Sequence, residues 1–426
     1  MIVVVFEDQA VRQLGVVAAA RPACDLTIGS QTLFEALQHF GSVRRCVRPH
    51  LARHLAALAG RRCAIWGGAA DAAGDAPAAS RHGSLALLVN ARVIPSRENL
   101  FALRSLVEHG RRAIVHVDGA VAAAVLHCSA DGQGPDRRLL DQLLDHGPAV
   151  LGELDTLALP QADVGITLLG AIHDIITAHE QAIEGSLAMK IDSGAYRELR
   201  PGLFVAADAR VDDFVAVRRG PVVVEAAAEV GPFVCLDGPV WIGPAARVNP
   251  HAWLRGGTAV GRACRVGGEV EASVLEPFSN KAHGGFVGHS HVGSWSNLAA
   301  GTITSNLKAT YGPVRLHDSL PDGGRTTLHT GRQFLGALVG DFVKTAINTA
   351  LPCGCRIGPA AAIGGIAPDV VPAFRSTLLG PTSDTSTPAQ AATILERMMA
   401  RRGMQILDAD RALLEDLGRA TDREPG

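Results

Sequence analysis

Between Leu203 and Phe374 an aliphatic side chain keeps returning at every sixth position. Val205, Val211, Val217 and Val223 start the beat, and after a one-residue slip it runs through Val230, Leu236, Ile242, Val248, Leu254, Val260 and Val266. It returns at Val339, Thr345, Leu351, Ile357 and Ile363. A period of six matches neither a helix nor a simple strand alternation; it is the repeat of a parallel β-helix. Each hexapeptide then supplies one short strand and one corner, with the aliphatic residue pointing inward. Glycine follows the aliphatic residue in Val230-Gly231, Ile242-Gly243, Val260-Gly261 and Val266-Gly267, where the chain must turn. From about Lys308 to Gln333 the beat is absent, which predicts an excursion from the coil stack.

Upstream, the pattern is different. MIVVVF, QTLFEALQHF, RRCAIWG, SLALLVN, NLFALRSLVEHG, RAIVHVDG and AVAAAVLHC alternate short apolar runs with helical spacings. Strands alternating with helices predict a mostly parallel α/β sheet covered on both faces. Ala130 to Arg138 reads as a loop, and Ile166, Leu169, Ile172, Ile176 and Ile183 predict a connector helix within Gly165–Leu187. After Phe374, STLLGPTSDTSTP reads as a polar linker before a helical tail, in which Ile394, Leu395, Met398 and Met399 form a packing stripe. The expected organisation is an α/β domain over 1–160, a helical connector over 161–200, a β-helix over 201–375, and linker plus tail over 376–426.

Composition narrows the function classes. A formal net charge of −2 gives no basic footprint for nucleic acid or an anionic membrane. The opening apolar run is too short for a bilayer span or a secretory leader and meets Glu7 and Asp8 at once, so a cytoplasmic protein is expected. None of the eight cysteines forms a CxxC pair, which favours buried thiols over zinc or disulfides. Aromatic residues make up only 4%, which suits a core of many small repeated layers.

The stretch NKAHGGFVGHSHVG, Asn280 to Gly293, gathers His283, His289 and His291. A histidine here is a general base, a metal ligand or a solvated turn residue. His289 and His291, two residues apart, could share one side of a strand as zinc ligands, with His251 or His317 as a third. Without such support they read as surface turn residues. Asp118 in HVDGAV reads as a strand-end turn, with a Mg²⁺ ligand as the other choice.

LRGG at Leu254–Gly257, NKAHGGFVG at Asn280–Gly288 and NLAAGTITSN at Asn297–Asn306, with the hexapeptides and the preceding domain, resemble the GlmU family. Its shortened GlmU-like branch of sugar nucleotidyltransferases is the nearest match, most strongly over Leu203–Phe374. The resemblance implies an α/β nucleotidyltransferase-like domain, then a left-handed parallel β-helix that assembles as a homotrimer, with the helical tail following. It also implies acetyl-CoA-dependent N-acetylation of an amino-sugar 1-phosphate. His283 matches the family's base, Asn297 and Asn306 its sugar contacts, Ala300 a position near the thioester carbonyl, and Arg255 the residue on the sugar phosphate. Phe286 stands where the family has tyrosine. Ser273 stands where it has a sugar-binding lysine, for which Lys281 is the nearby substitute.

The first domain lacks the family's glycine-rich, basic phosphate loop; EDQAVRQLGVVAAARPACDLTIGSQTL succeeds the first strand instead. Arg21-Pro22, Ile28-Gly29 and Asn90-Ala91-Arg92 resemble features of the shortened branch, although Thr27 replaces an expected arginine. The resemblance thus implies a sugar-nucleotide-binding domain whose Mg²⁺-dependent transfer from a nucleoside triphosphate is weak or lost. Two other readings remain: a γ-type carbonic anhydrase-like zinc enzyme, and a non-catalytic scaffold that senses a sugar nucleotide.

Overall fold

The computed structural model describes residues 1–59, 84–128, 133–319, 325–378 and 385–421. The expected strand RRCAIWG and the middle of the polar linker lie outside the described residues.

Strand Ile2–Phe6 lies between Ser42–Cys46 and Ser84–Asn90 and is parallel to both. Its alternation places Val3 and Val5 in one apolar cluster and Val4 and Phe6 in another, so both faces are covered. Ala120–Cys128 then pairs antiparallel with Ser84–Asn90 and with Ala113–Val117. The sheet is therefore mixed rather than mostly parallel. The cause is local: Asp118 at φ 48° and Gly119 at φ 79° make the two-residue turn that a right-twisted hairpin favours. Helix Arg97–His109 buries Leu103 and Leu106, and Ser96 caps it by accepting the Asn99 N–H. Helix Pro135–His146 begins inside the segment expected to be a loop, with proline in its first turn, and buries Leu139, Leu140 and Leu143.

The connector helix starts at Asp174, later than the aliphatic spacing predicts. Asp174 Oδ2 accepts the N–H groups of Gly170 and Ala171 and so fixes the chain ahead of the helix. Ile166, Leu169 and Ile172 are buried there in non-helical backbone.

Beyond Gly202 the chain winds into a parallel β-solenoid. Its longest face is a ten-stranded sheet that starts at the antiparallel pair Arg197–Arg200 and Leu203–Val205 and climbs in parallel to Val370–Val371. A second face climbs from Arg210–Val211 to Asn280–Lys281, and a third from Ala216–Arg219 to Phe286–Gly288. Val230, Leu236, Ile242, Val248, Leu254, Val260 and Val266 form the interior column. One register differs from the expected one: the slip falls before Val224, not after Val223. Val222 and Val224 face the interior, while Val223 packs outward with Trp241 and Ala259 against Ile183 and Leu187 of the connector helix. A one-residue shift in a strand always exchanges its faces.

The excursion is a hairpin, Arg315–Ser319 against Arg325–His329. In the tail, Pro388–Ala400 and Asp408–Thr421 are helices, the first with a Thr387–Gln390 capping box. Leu395 and Met399 pack with Leu51 of helix Pro49–Ala59 and with Phe278 and Trp295 of the solenoid, whereas Ile394 is 38% exposed and drops out of the stripe. The seven described cysteines are free thiols. No described helix is long and apolar enough to cross a membrane.

Candidate active site

His283 stands exposed on the corner that joins the second solenoid face to the third. Its backbone is held from three sides. Lys281 occupies an interior position of the coil, is 0% exposed, and donates from Nζ to the carbonyls of His283 and Gly284. Asn249 Nδ2 donates to Ala282 O at 2.8 Å, and the Gly301 N–H donates to Gly284 O at 3.0 Å. Gly285, at φ 127°, leaves no space for a side chain, since a Cβ would lie 2.3 Å from Thr302 O. Burial lowers the Lys281 pKa to about 8. The loop is rigid while the His283 imidazole has no hydrogen-bond partner among the described residues, an arrangement that suits a group meant to meet a substrate.

Asn297 and Ala300 lie one coil further on at the same corner. Asn297 Oδ1 accepts from Asn280 Nδ2 at 2.6 Å. Ala300 O accepts the Asn348 N–H at 2.8 Å, and the Ala300 N–H has no partner among the described residues. Lys281 is thus a positioning residue of the His283 loop, with its ammonium turned inward.

Arg255 and Asn306 lie at the other end of the third face, across the strand Phe286–Gly288, roughly 10 Å away by the rise of three extended residues. Arg255 sits over the Trp253 ring and donates from Nη1 to Glu269 at 3.1 Å and Glu271 at 2.8 Å. Glu271 reaches Arg255 because the coil is short. Ala259 opposes Val274, fifteen residues on, where Trp241 opposes Ala259, eighteen on. Ser273 is consequently buried, with its hydroxyl donated to Glu271 O, and Glu271 rather than Ser273 is the neighbour of Arg255. Asn306 Nδ2 meets His289 Nδ1 at 2.9 Å, and His289 stacks on Phe334. Burial, followed by the charges of Arg332 and Arg255, lowers the His289 pKa to about 4.

Neither of the paired histidines is a solvated turn residue. His291 is 0% exposed, with Nε2 at 3.1 Å from Glu276 Oε1, while His289 faces Asn306 and Glu180. They point to different neighbourhoods and share no ligand position. Among the described residues no group of three His, Cys, Asp or Glu side chains could hold a metal.

The motifs of the first domain meet the solenoid or one another. Glu276, 0% exposed, accepts the Thr27 N–H at 2.9 Å and hydroxyl at 2.8 Å and pairs with Arg21 at 2.9 Å. Burial alone would raise its pKa, but the Arg21 charge and its hydrogen bonds outweigh that and bring it down to about 2. Arg21 also binds Asp341. The Gly29 N–H donates to His179 Nδ1, and His179 Nε2 bonds Gly257 O at 2.9 Å; burial lowers the His179 pKa to about 4. At the carboxyl ends of the strands, where open α/β sheets bind ligands, Glu7 pairs with Arg48 at 2.9 Å and Asp8 with Arg92 at 2.6 Å. Asn90 also donates to Asp8. Carboxylates engaged in this way do not fit a Mg²⁺ site.

Residues 3–190 match the family model described as sugar nucleotidyl transferase. Over those residues the chain is similar to sugar nucleotidyl transferases. It is 34% identical over 96 residues to the bifunctional protein GlmU of Methanococcus vannielii, which covers 22% of each chain. Against a bifunctional sugar-1-phosphate nucleotidylyltransferase/acetyltransferase of Sulfurisphaera tokodaii it is 35% identical over 95 residues, again 22% of each. The alignments therefore span about a fifth of the length of these curated relatives. The acetyltransferase domain of PglB from Neisseria gonorrhoeae, solved with acetyl coenzyme A, overlaps 50% of this chain and 66% of its own at 15% identity. Its TM-score of 0.19 is too low to inform the site.

Sequence motifs do not reveal Glu269, Glu271, Glu180 or Arg332. The first two are betrayed only by the shortened coil. Glu180 and Arg332, paired at 2.7 Å beside His289, come from the connector helix and the end of the excursion and leave no local signal.

Proposed function

We propose that the chain transfers an acetyl group from acetyl-CoA to the amine of an amino-sugar phosphate, with His283 as general base. The observation that supports this reading is the His283 corner: an imidazole on a braced loop and, one coil further on, the N–H of Ala300, neither with a hydrogen-bond partner among the described residues. The amine nitrogen forms a bond to the thioester carbonyl carbon as the carbon–sulfur bond breaks. The proton lost from nitrogen passes to the imidazole and then to the departing thiolate. The Ala300 N–H is placed to donate to the oxygen that gains charge on the way. Asn297, Phe286 and Asn306 line the strip along which the sugar lies, with Arg255 at its far end.

In this reading the first domain keeps the nucleotidyltransferase fold and has weak or lost transfer activity, supported by the ion-paired strand ends. The assembly is a cytoplasmic homotrimer. Incubation of the purified protein with acetyl-CoA and a panel of amino-sugar phosphates, with release of free CoA as readout, is the test. Turnover with at least one member is expected, and none with any member rejects the assignment. Robust Mg²⁺-dependent pyrophosphate release from a nucleoside triphosphate and a sugar 1-phosphate would overturn the reading of the first domain. A monomeric mass by light scattering would overturn the trimer.

A further inference from the structure

On the second solenoid face Val248 and Val266 point inward, so their strand neighbours Arg247 and Arg265, paired in register one coil apart, point outward. The turn between the two tail helices lies against this face, because Arg402 donates from Nη1 to the carbonyl of Ala263 at 3.2 Å. Arg401 immediately precedes it. Four guanidinium groups from two distant parts of the chain therefore share one junction. Burial lowers the Arg402 pKa, and the charges of Arg265, Arg401 and Arg247 lower it further.

Carboxylates are scarce there. Arg247 has Glu229 at 3.4 Å in an exposed pair, whereas Arg265, Arg401 and Arg402 form no ion pair among the described residues. The buried Nε of Arg265 has no hydrogen-bond partner either. A helix C-terminus favours cations, which accounts for Arg401 and Arg402 at the end of Pro388–Ala400 but not for Arg265 on the strand opposite. Like charges gathered and partly withdrawn from water weaken a fold, and an anion placed among them reverses the sign of that effect. Three cations without carboxylates suit a doubly charged group, and guanidinium forks bind phosphate oxygens in pairs.

We propose that this junction binds the phosphate group of a small molecule, through Arg265 of the solenoid and Arg401 and Arg402 of the tail. The carrier is a sugar phosphate, a nucleoside diphosphate or the phosphorylated end of an acyl carrier; the shared chemistry is the phosphate. None of these arginines belongs to the proposed acetyl-transfer site, and the binding does not depend on acyl transfer at His283.

Calorimetric titration of the full chain, without acetyl-CoA, against a sugar 1-phosphate, uridine diphosphate and adenosine 3′,5′-diphosphate, each beside its unphosphorylated counterpart, separates the carriers. At least one phosphorylated probe is expected to bind more than about tenfold tighter than its counterpart and to weaken as salt rises. The double variant Arg265→Ala, Arg401→Ala is expected to lose at least about tenfold in that affinity. Its thermal midpoint without ligand should not fall, since two of the mutually repelling charges are gone. Arg419→Ala, which removes one charge from an exposed pair elsewhere in the tail, should leave the affinity unchanged. Equal binding with and without phosphate, a flat salt profile in the unaltered protein, full affinity for every phosphorylated probe in the double variant, or an equal loss in Arg419→Ala would each overturn the proposal.

Discussion

At the strand ends of the first domain Glu7 faces Arg48, Asp8 faces Arg92, and Arg21 reaches across to Glu276 and Asp341. At the His283 corner the arrangement is reversed: the backbone is tied down by Lys281, Asn249 and Gly301, while the imidazole has no hydrogen-bond partner among the described residues. Both regions carry residues that resemble family motifs. In the first they serve as joints, and in the second His283 is presented to solvent. A buried ion pair that loses one member leaves an uncompensated charge and destabilises the fold, whereas an exposed imidazole can be removed with little cost to it. Mutation should therefore separate the two regions, one through stability and the other through turnover.

The sharpest separation comes from His283→Ala. Acetyl transfer should fall by roughly 10²–10⁴-fold, with the thermal midpoint nearly unchanged; full turnover in the variant would erase the contrast. Glu276→Ala should do the opposite and lower the unfolding free energy by about 3–5 kcal/mol, because Arg21 loses one of its two buried counter-charges and Thr27 and His291 lose their buried partner. Denaturant titration measures that loss, and a cost below about 1 kcal/mol would mean that the joint is not holding the domains. Lys281→Met belongs to both regions. It frees the carbonyls of the His283 loop, and about a ten- to hundredfold fall in kcat with a smaller change in CoA affinity is expected.

The smallest effect is the response to pH. His179 and His289 have folded pKa values of about 4, below the unfolded value of about 6.5, so between these limits the unfolded chain binds more protons. Their contribution to stability is present above pH 6.5 and is lost as pH falls towards 4. The His289 share is the difference in acid sensitivity between the unaltered protein and His289→Gln; no difference in that window would contradict the buried, neutral assignment.

The coil stack is legible from sequence because one interior column repeats, but its edges are not. Val222, Val223 and Val224 are all aliphatic, so hydrophobicity cannot say which of them faces inward; the connector helix decides it. Past Val266 the column continues through Val270, Leu275, Lys281 and Val287, but the shortened coil alters the step and a buried lysine takes an aliphatic position. At the site, His283, Asn297 and Ala300 can be found because their motifs are local. Glu271 cannot, since its place beside Arg255 depends on the length of a coil rather than on a pattern around either residue. Asp118 reads as a turn and is one, yet a turn residue alone does not say that the two strands it joins pair with each other and make the sheet mixed.

Arg21 has one further consequence. Glu276 and Asp341 stand on coils that lie on either side of the hairpin excursion, and the apolar interior divides there, one cluster ending at Leu298 and the next beginning at Ala337. A stack whose units contact only their neighbours can unfold in sections, and a break in its core is where the sections would part. A guanidinium held by both sides of that break joins the lower and upper coils through a residue from another domain, so that the two should melt as one cooperative unit, with the first domain as the clasp.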